Sequence, residues 1–255
     1  MSTRVLLRTE QLVRRFGGLL ATDHAELSVL EGEVHALIGP NGAGKTTLIH
    51  QLSGTLAPTS GHIHFDGEDI TGLPIHARVR RGLVRSYQIT SVFPRLRVLD
   101  NLALAVQART GGSRGFWRPA RAERERYAEA QAVAERVGLG DQSPQLAGAL
   151  SHGQQRQLEV GLALALRPRL LLLDEPMAGM GPDESERMVG LLQGLRGEVT
   201  LLLVEHDMDA VFRLADRISA LVSGRVIATG TPQEIRRHPD VRRAYLGDEL
   251  EEATP

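Results

Sequence analysis

The chain has 255 residues, 42% of them hydrophobic, with 30 basic against 31 acidic side chains and a formal net charge of −1. That length suits a single α/β unit with insertions, able to bury roughly 70–75% of its unfolded surface. The charge balance excludes whole-molecule attraction to nucleic acid or anionic lipid, and the absence of cysteine excludes disulfides and thiolate metal sites. No early segment joins a basic stretch to a long apolar one, and the apolar run 158–173 is broken by Arg167-Pro168-Arg169. Neither a secretory leader nor a membrane span is expected, which points to a soluble, cytoplasmic protein.

In chain order, short β-type runs at residues 5–7, 34–38, 170–173, 200–204 and 218–222 alternate with stretches of helical period. That alternation predicts a largely parallel sheet covered by helices. Residues 170–173 and 200–204 are apolar throughout, the pattern of strands buried on both faces. Residues 61–65 and 225–228 alternate instead, predicting strands with one wet face in a smaller antiparallel part. Between residues 97 and 166 strand patterns vanish, and helices are predicted over 99–107, 120–137 and 153–166, the second preceded by a loop at 110–115. The alternating charges from Arg121 to Glu129 read as a solvated helix face laced with i,i+4 pairs, and Phe116 with Trp117 as a loop anchor. Residues 248–255 read as a frayed acidic tail.

Of the 30 basic residues, 29 are arginine, and the one lysine is Lys45 in Gly39-Pro40-Asn41-Gly42-Ala43-Gly44-Lys45-Thr46-Thr47. A chain that uses a planar fork elsewhere uses a compact ammonium on a flexible stem here. The run fits G-x-x-x-x-G-K-[ST], lying between the apolar run 34–38 and a helical stretch at 46–52. A strand feeding a glycine loop into a helix N-terminus is an anion site: consecutive N–H groups curl around phosphates, and the first-turn dipole adds to the lysine charge. Gly39, Asn41, Gly42, Ala43, Gly44, Lys45, Thr46 and Thr47 are therefore the candidate nucleotide contacts, with Lys45 on the terminal phosphates and Thr46 on magnesium.

Three further motifs follow. Leu170-Leu171-Leu172-Leu173-Asp174-Glu175 ends an apolar strand in two carboxylates that adjacency points in different directions. Asp174 is expected to hold magnesium through a coordinated water and Glu175 to polarise a water attacking the γ-phosphate in line. Val204-Glu205-His206-Asp207 places His206 where the next apolar strand ends, a candidate γ-phosphate contact. Leu150-Ser151-His152-Gly153-Gln154-Gln155-Arg156 sets a Ser and a Gly ahead of a helix, as either an ordinary cap or a second anion site. One nucleotide cannot easily use both anion sites within one subunit.

In that order and at those separations, the phosphate loop, residues 150–154 (similar to LSGGQ), residues 170–175 and His206 resemble the ATP-binding subunit of an ABC transporter over about residues 5–247. The resemblance implies a P-loop NTPase ABC ATPase fold of class α/β: a mainly parallel core, an antiparallel β subdomain and an inserted helical subdomain. As a single domain over 1–255, it would place the core and β subdomain at about 1–88 and 167–255 and the helical subdomain at about 89–166. It further implies that Gln88 touches magnesium and the attacking water, that Phe16 stacks on adenine, and that residues 90–95 receive a permease's coupling helix. Two subunits would sandwich two ATP molecules, Ser151, Gly153 and Gln154 of one meeting the γ-phosphate held by Lys45 of the other. The implied cofactors are ATP and Mg2+. The implied partners are a second ATPase subunit, two permeases and, indirectly, a substrate-binding protein, with no nucleic acid, at the cytoplasmic face of the membrane.

Two positions depart from the family pattern: His152 stands for the middle Gly, and Gly181 for the Asp of the loop after the catalytic Glu. The second removes the usual cross-dimer Asp contact, and that role is not transferred to Asp183. Both departures, with Glu205-His206-Asp207-Met208 and the ending at 239–247, look most like the branched-chain amino acid importer branch, with urea and amide importers as close relatives. An ABC-type ATPase acting on DNA or ribosomes would be expected to carry two units per chain, coiled coils or basic extensions, and a small-molecule kinase would leave residues 150–154 without a use.

Overall fold

The structure, a computed structural model, describes residues 4–86, 92–110 and 120–246. Val5–Phe16 (β1), Leu19–Ala25 (β2) and Ser28–Leu30 (β3) come first, and β1 turns into β2 through Gly17-Gly18, with Phe16 opposite Leu19. Gly17 has φ 57°, the left-handed conformation that a two-residue hairpin asks for. Val34–Ile38 (β4) leads into the helix Lys45–Ser53 (α1), followed by Ser60–Phe65 (β5), Glu68–Asp69 (β6), Ile75–Arg80 (α2) and Leu83–Arg85 (β7). The helices Val98–Arg109 (α3), Ala120–Arg136 (α4) and His152–Ala165 (α5) come next, then Leu170–Asp174 (β8), Pro182–Gly194 (α6) and Thr200–Val204 (β9). Met208–Leu214 (α7), Arg217–Val222 (β10), Arg225–Gly230 (β11) and Pro232–Arg237 (α8) follow, with the short helix Pro239–Val241 (α9) and the π-helical turn Arg242–Leu246 last.

Two sheets result. The larger runs β11-β10-β4-β9-β8-β7, parallel except for β11, which pairs antiparallel with β10. The smaller is antiparallel, β2-β1-β5-β6, with β3 also on β1. Burial at every position of β4, β8 and β9 accounts for their unbroken apolar sequences. Leu171, Leu173, Leu201 and Leu203 face the core shared with α3, α4 and α5, whereas Leu170, Leu172, Leu202 and Val204 face the core shared with α1 and the antiparallel sheet. Each such leucine contributes about 1.5–3 kcal/mol by leaving water. Fully buried His35 ties β4 to its neighbours, its Nδ1 2.9 Å from Oε1 of Glu33 and its Nε2 2.8 Å from Oγ of Ser219 on β10.

Three expectations are corrected. Residues 5–7, read with the parallel strands, open the long β1 of the antiparallel sheet; register shifts near Leu12 and Arg14 break the alternation that would have marked its length. Residues 225–228, read as part of the smaller sheet, belong to β11 at the edge of the large one, because alternation reports one wet face and not which sheet owns it. The charges of α4 also do more than lace a solvated face. Arg109 donates to both carboxylate oxygens of Glu129 at 2.7 Å, Arg126 to Gln107 at 2.9 Å and Tyr127 to Asp100 at 3.0 Å, so they fasten α4 to α3. Phe116, Trp117 and the tail 248–255 lie outside the described residues.

Arg78 on α2 is 1% exposed and donates to the carbonyls of Gln51 and Leu52, both at 2.7 Å, and to those of Leu73 and Thr71, both at 2.9 Å. Gln51 and Leu52 lie at the end of α1, where the Gln51 carbonyl also accepts from Gly54 N–H at 3.2 Å and a cation meets the negative end of the helix dipole. Burial lowers the guanidinium pKa to about 10, and the charge of Asp69 opposes that shift. Gly54, at φ 83°, leaves the room, since a Cβ there would stand 2.8 Å from Nε of Arg78. Arg78→Met would remove four hydrogen bonds and is expected to cost about 3 kcal/mol or more in denaturant unfolding of the full chain.

Candidate active site

Leu37 and Asp174 both pair with Val204, so β4, β8 and β9 end level with one another at one edge of the sheet. The phosphate loop, the two carboxylates and the Glu205-His206 pair therefore leave the sheet side by side, where open parallel sheets gather ligands.

The loop is held from both sides. A Cβ at Gly44 would lie 2.1 Å from the carbonyl of Ala21 on β2, and one at Gly39 2.2 Å from that of Leu221 on β10. Gly224 N–H donates to the carbonyl of Ala43 at 2.8 Å. No side chain caps α1, and no acidic residue sits in its first turn, so its leading N–H groups remain suited to an anion. Lys45 Nζ donates to the carbonyls of Gly39 at 2.6 Å and Pro40 at 3.0 Å. Burial pulls its pKa below the ordinary lysine value, and the charges of Glu175 and then Asp174 oppose that shift. Asn41, Gly42 and Thr46 are exposed, Ala43 is buried and Thr47 half-buried.

Asp174 and Glu175 face different surroundings, as their adjacency predicts. Asp174 accepts from Nη2 of Arg85 at 2.8 Å, with side chains only 3% and 6% exposed. Arg85 meets Asp174 at Oδ2, and a carboxylate and a hydroxyl such as that of Thr46 are the hard oxygen donors that magnesium takes. Among the described residues no cluster of three acidic, His or Cys side chains could hold a metal, so magnesium fits only if phosphate oxygens and water complete its shell. Glu175 sits at φ 49°, a left-handed backbone that strains a non-glycine residue, and its N–H is pinned to the carbonyl of Val204 at 2.8 Å. His206 Nε2 donates to Oε1 of Glu175 at 2.9 Å, which fixes the tautomer.

Ser151 caps α5 through a capping box with Gln154: its Oγ accepts from Gln154 N–H at 3.3 Å, and its own N–H donates to Oε1 of Gln154 at 3.0 Å. His152 Nε2 lies 3.3 Å from the carbonyl of Ala178 in the loop after Glu175. Ser151 Oγ and Gly153 N–H both donate to Glu184 on α6. Among the described residues no hydrogen bond or ion pair joins residues 151–154 to the phosphate loop. Phe16 is 46% exposed, and the Arg14 guanidinium stands 4.6 Å from its ring centroid. Gln88 and residues 87–91 around it lie outside the described residues.

Residues 22–178 match the ABC transporter family, and residues 225–251 match the family described as the branched-chain amino acid ATP-binding cassette transporter. The chain belongs to the ABC transporter ATP-binding subunits. It is 43% identical over 253 residues to the high-affinity branched-chain amino acid transport ATP-binding protein BraF of Pseudomonas aeruginosa, covering 96% of this chain and 99% of that one. The corresponding protein LivG of Escherichia coli strain K12 is 40% identical over 250 residues, covering 95% and 98%. A crystal structure of the ADP conformation of an ATP-binding cassette of an ABC transporter superposes with a TM-score of 0.84 at 31% identity, covering 96% of this chain and all of that one. The subunit is thus a nucleotide-binding ATPase, and among its described residues no helix is long and apolar enough to cross a membrane.

Sequence reading of this ABC subunit missed three side chains. Glu205 is buried and accepts from the N–H groups of Met177 at 2.8 Å and His206 at 3.0 Å, bracing both loops at the edge; burial pushes its carboxyl pKa up. Its place between a buried strand and His206 was the available signal. Arg85 and Glu184 gave none, because their partners are 89 and 33 positions away. Arg85→Met would leave Asp174 as a buried uncompensated charge and is expected to cost about 3–5 kcal/mol of unfolding free energy. The double variant Arg85→Met/Asp174→Leu should recover most of that loss, which a double-mutant cycle on the same unfolding curves reads directly.

Proposed function

We propose that this ATPase powers a branched-chain amino acid importer from the cytoplasmic face of the membrane, as one of two subunits that close over two ATP molecules. The observation that carries the composite site is the separation of the donors: Ser151 and Gly153 are fastened to α6, and among the described residues no hydrogen bond or ion pair ties them to the Lys45 loop. A γ-phosphate held by one loop then meets the Ser151 segment of the facing subunit, on a helix N-terminus suited to an anion.

Lys45 and the N–H groups of residues 39–47 hold the polyphosphate, and Phe16 offers its exposed ring to adenine. Thr46 and Asp174 would hold magnesium, which supplies charge neutralisation at the β- and γ-phosphates. Glu175 accepts the proton of the attacking water, its backbone held by Val204 and its carboxylate released by His206. His206 reaches the γ-phosphate by exchanging the acceptor of its Nε2 proton. Gln88 would contact the attacking water and magnesium.

A groove of about 350 Å³ is walled by Val84, Phe93, Leu104, Leu162 and Leu166 with Arg85 in its lining, and Phe93 is 57% exposed. An apolar cleft of this kind suits the end of a permease helix. The substrate reading rests on the match of residues 225–251 and on relatives named for branched-chain amino acid transport. Two permeases and a substrate-binding protein would complete the machine.

Glu175→Gln is expected to retain ATP, lose hydrolysis by about 10²–10⁴-fold and accumulate a closed dimer, read by phosphate release and light scattering. An undiminished rate removes Glu175 from the role of base. In the complex reconstituted with its permeases and binding protein, leucine, isoleucine or valine should raise ATP turnover several-fold. Stimulation by urea or an amide instead would replace the substrate assignment while leaving the engine intact.

A further inference from the structure

Ser151 Oγ donates to Oε1 of Glu184 at 3.0 Å, and Gly153 N–H donates to the same oxygen at 3.3 Å. A hydroxyl has one proton, and Ser151 already accepts from Gln154 N–H, so that proton is committed to the carboxylate. The fit is close: a Cβ at Gly153 would stand 2.6 Å from the carboxyl carbon of Glu184. The hydrogen bond from Ser151, with backbone donors including Gly153, holds the carboxyl pKa below the usual glutamate value. Glu184 is therefore an anion at neutral pH, seated on the two donors that the composite-site reading gives to the facing subunit's γ-phosphate.

We propose that Glu184 is the resident anion of the signature half-site: its carboxylate holds Ser151 and Gly153 in the geometry of anion binding and must leave before the γ-phosphate of the facing subunit takes its place. The inference rests on the composite-site reading above. Two donors with one proton each cannot serve a carboxylate and a phosphate at once, and two anions at that distance repel. Closure is thus an exchange of one anion for another, and the nucleotide must outbid the local carboxylate. After hydrolysis and loss of the γ-phosphate the carboxylate recovers its donors, which favours the open form. Glu184 also belongs to the first turn of α6, directly after the loop in which Gly181 stands for the family's Asp and whose Ala178 carbonyl meets His152. Its release therefore loosens the contact between α5 and α6 at the dimer face.

The test uses the full chain in a Glu175→Gln background, following ATP-dependent dimerisation by light scattering or sedimentation. Glu184→Ala is expected to lower the ATP concentration for half-dimerisation roughly threefold to tenfold, the scale of losing one solvent-exposed charge-assisted competitor. Glu184→Gln, which keeps an acceptor oxygen without the charge, should fall between. A merely structural role in α6 predicts the opposite sign, so unchanged or weaker dimerisation in both variants, with unaltered melting temperatures, overturns the inference. Ser151→Ala in the same background separates the two layers. If it weakens the dimer while the Glu184 variants do nothing, only the Glu184 role falls; if it leaves the dimer unchanged, the composite site falls first.

Discussion

The structure depends on three strands of five residues, β4, β8 and β9, being buried on both faces and ending level with one another. Their leucines and valines leave no choice of register, since a slip by one residue would exchange the side chains of two different cores. Because all three run parallel, their chains leave at the same edge, and every polar residue that follows a strand arrives there together. Packing thus positions chemistry: Lys45, Asp174, Glu175, Glu205 and His206 come from segments as much as 161 positions apart, Lys45 to His206. The hydrophobic term supplies the rigidity on which a charged site can be built.

That dependence explains what was legible in the sequence. Unbroken apolar runs carry their own signature, so the central strands and the motifs attached to their ends could be located from the residues. The antiparallel strands could not be assigned as well: β1 contains register shifts, and β11 alternates because it lies at an edge, so period two was either interrupted or uninformative about the neighbour. The contacts that tune the site were illegible for a different reason. Arg85 on Asp174, Glu184 on Ser151 and Arg78 on the end of α1 are pairings across the fold, each between residues whose local sequence is ordinary. A motif names the donors and carboxylates; only the topology decides which arginine or glutamate reaches them.

The site also concentrates unfavourable terms that the core must offset. Glu175 occupies a left-handed backbone, burial disfavours the charged forms of Lys45 and Glu205, and Asp174 and Arg85 are a buried ion pair whose desolvation the core must offset. None of these helps the chain fold. Together they hold donors and acceptors in fixed directions, so little reorganisation is left for the moment of phosphoryl transfer.

A single pattern runs through the polar groups that the mechanism assigns to phosphate. Lys45 donates to the carbonyls of Gly39 and Pro40, His206 to the carboxylate of Glu175, and Ser151 with Gly153 to the carboxylate of Glu184. Each donor is satisfied by an acceptor of its own chain. A buried or half-buried donor left without a partner would carry a desolvation cost, so internal acceptors let the edge exist without its substrate. In the proposed closure, polyphosphate binding would replace these internal acceptors one by one, and the net gain would be the difference between a phosphate oxygen and the carbonyl or carboxylate it displaces. In the proposed mechanism two of the acceptors displaced by the γ-phosphate, Glu175 and Glu184, are carboxylates, so its loss gives the donors back to anions already within reach. An engine that must reopen after every turnover is built more readily from such near-balanced exchanges than from a site that only the nucleotide can complete.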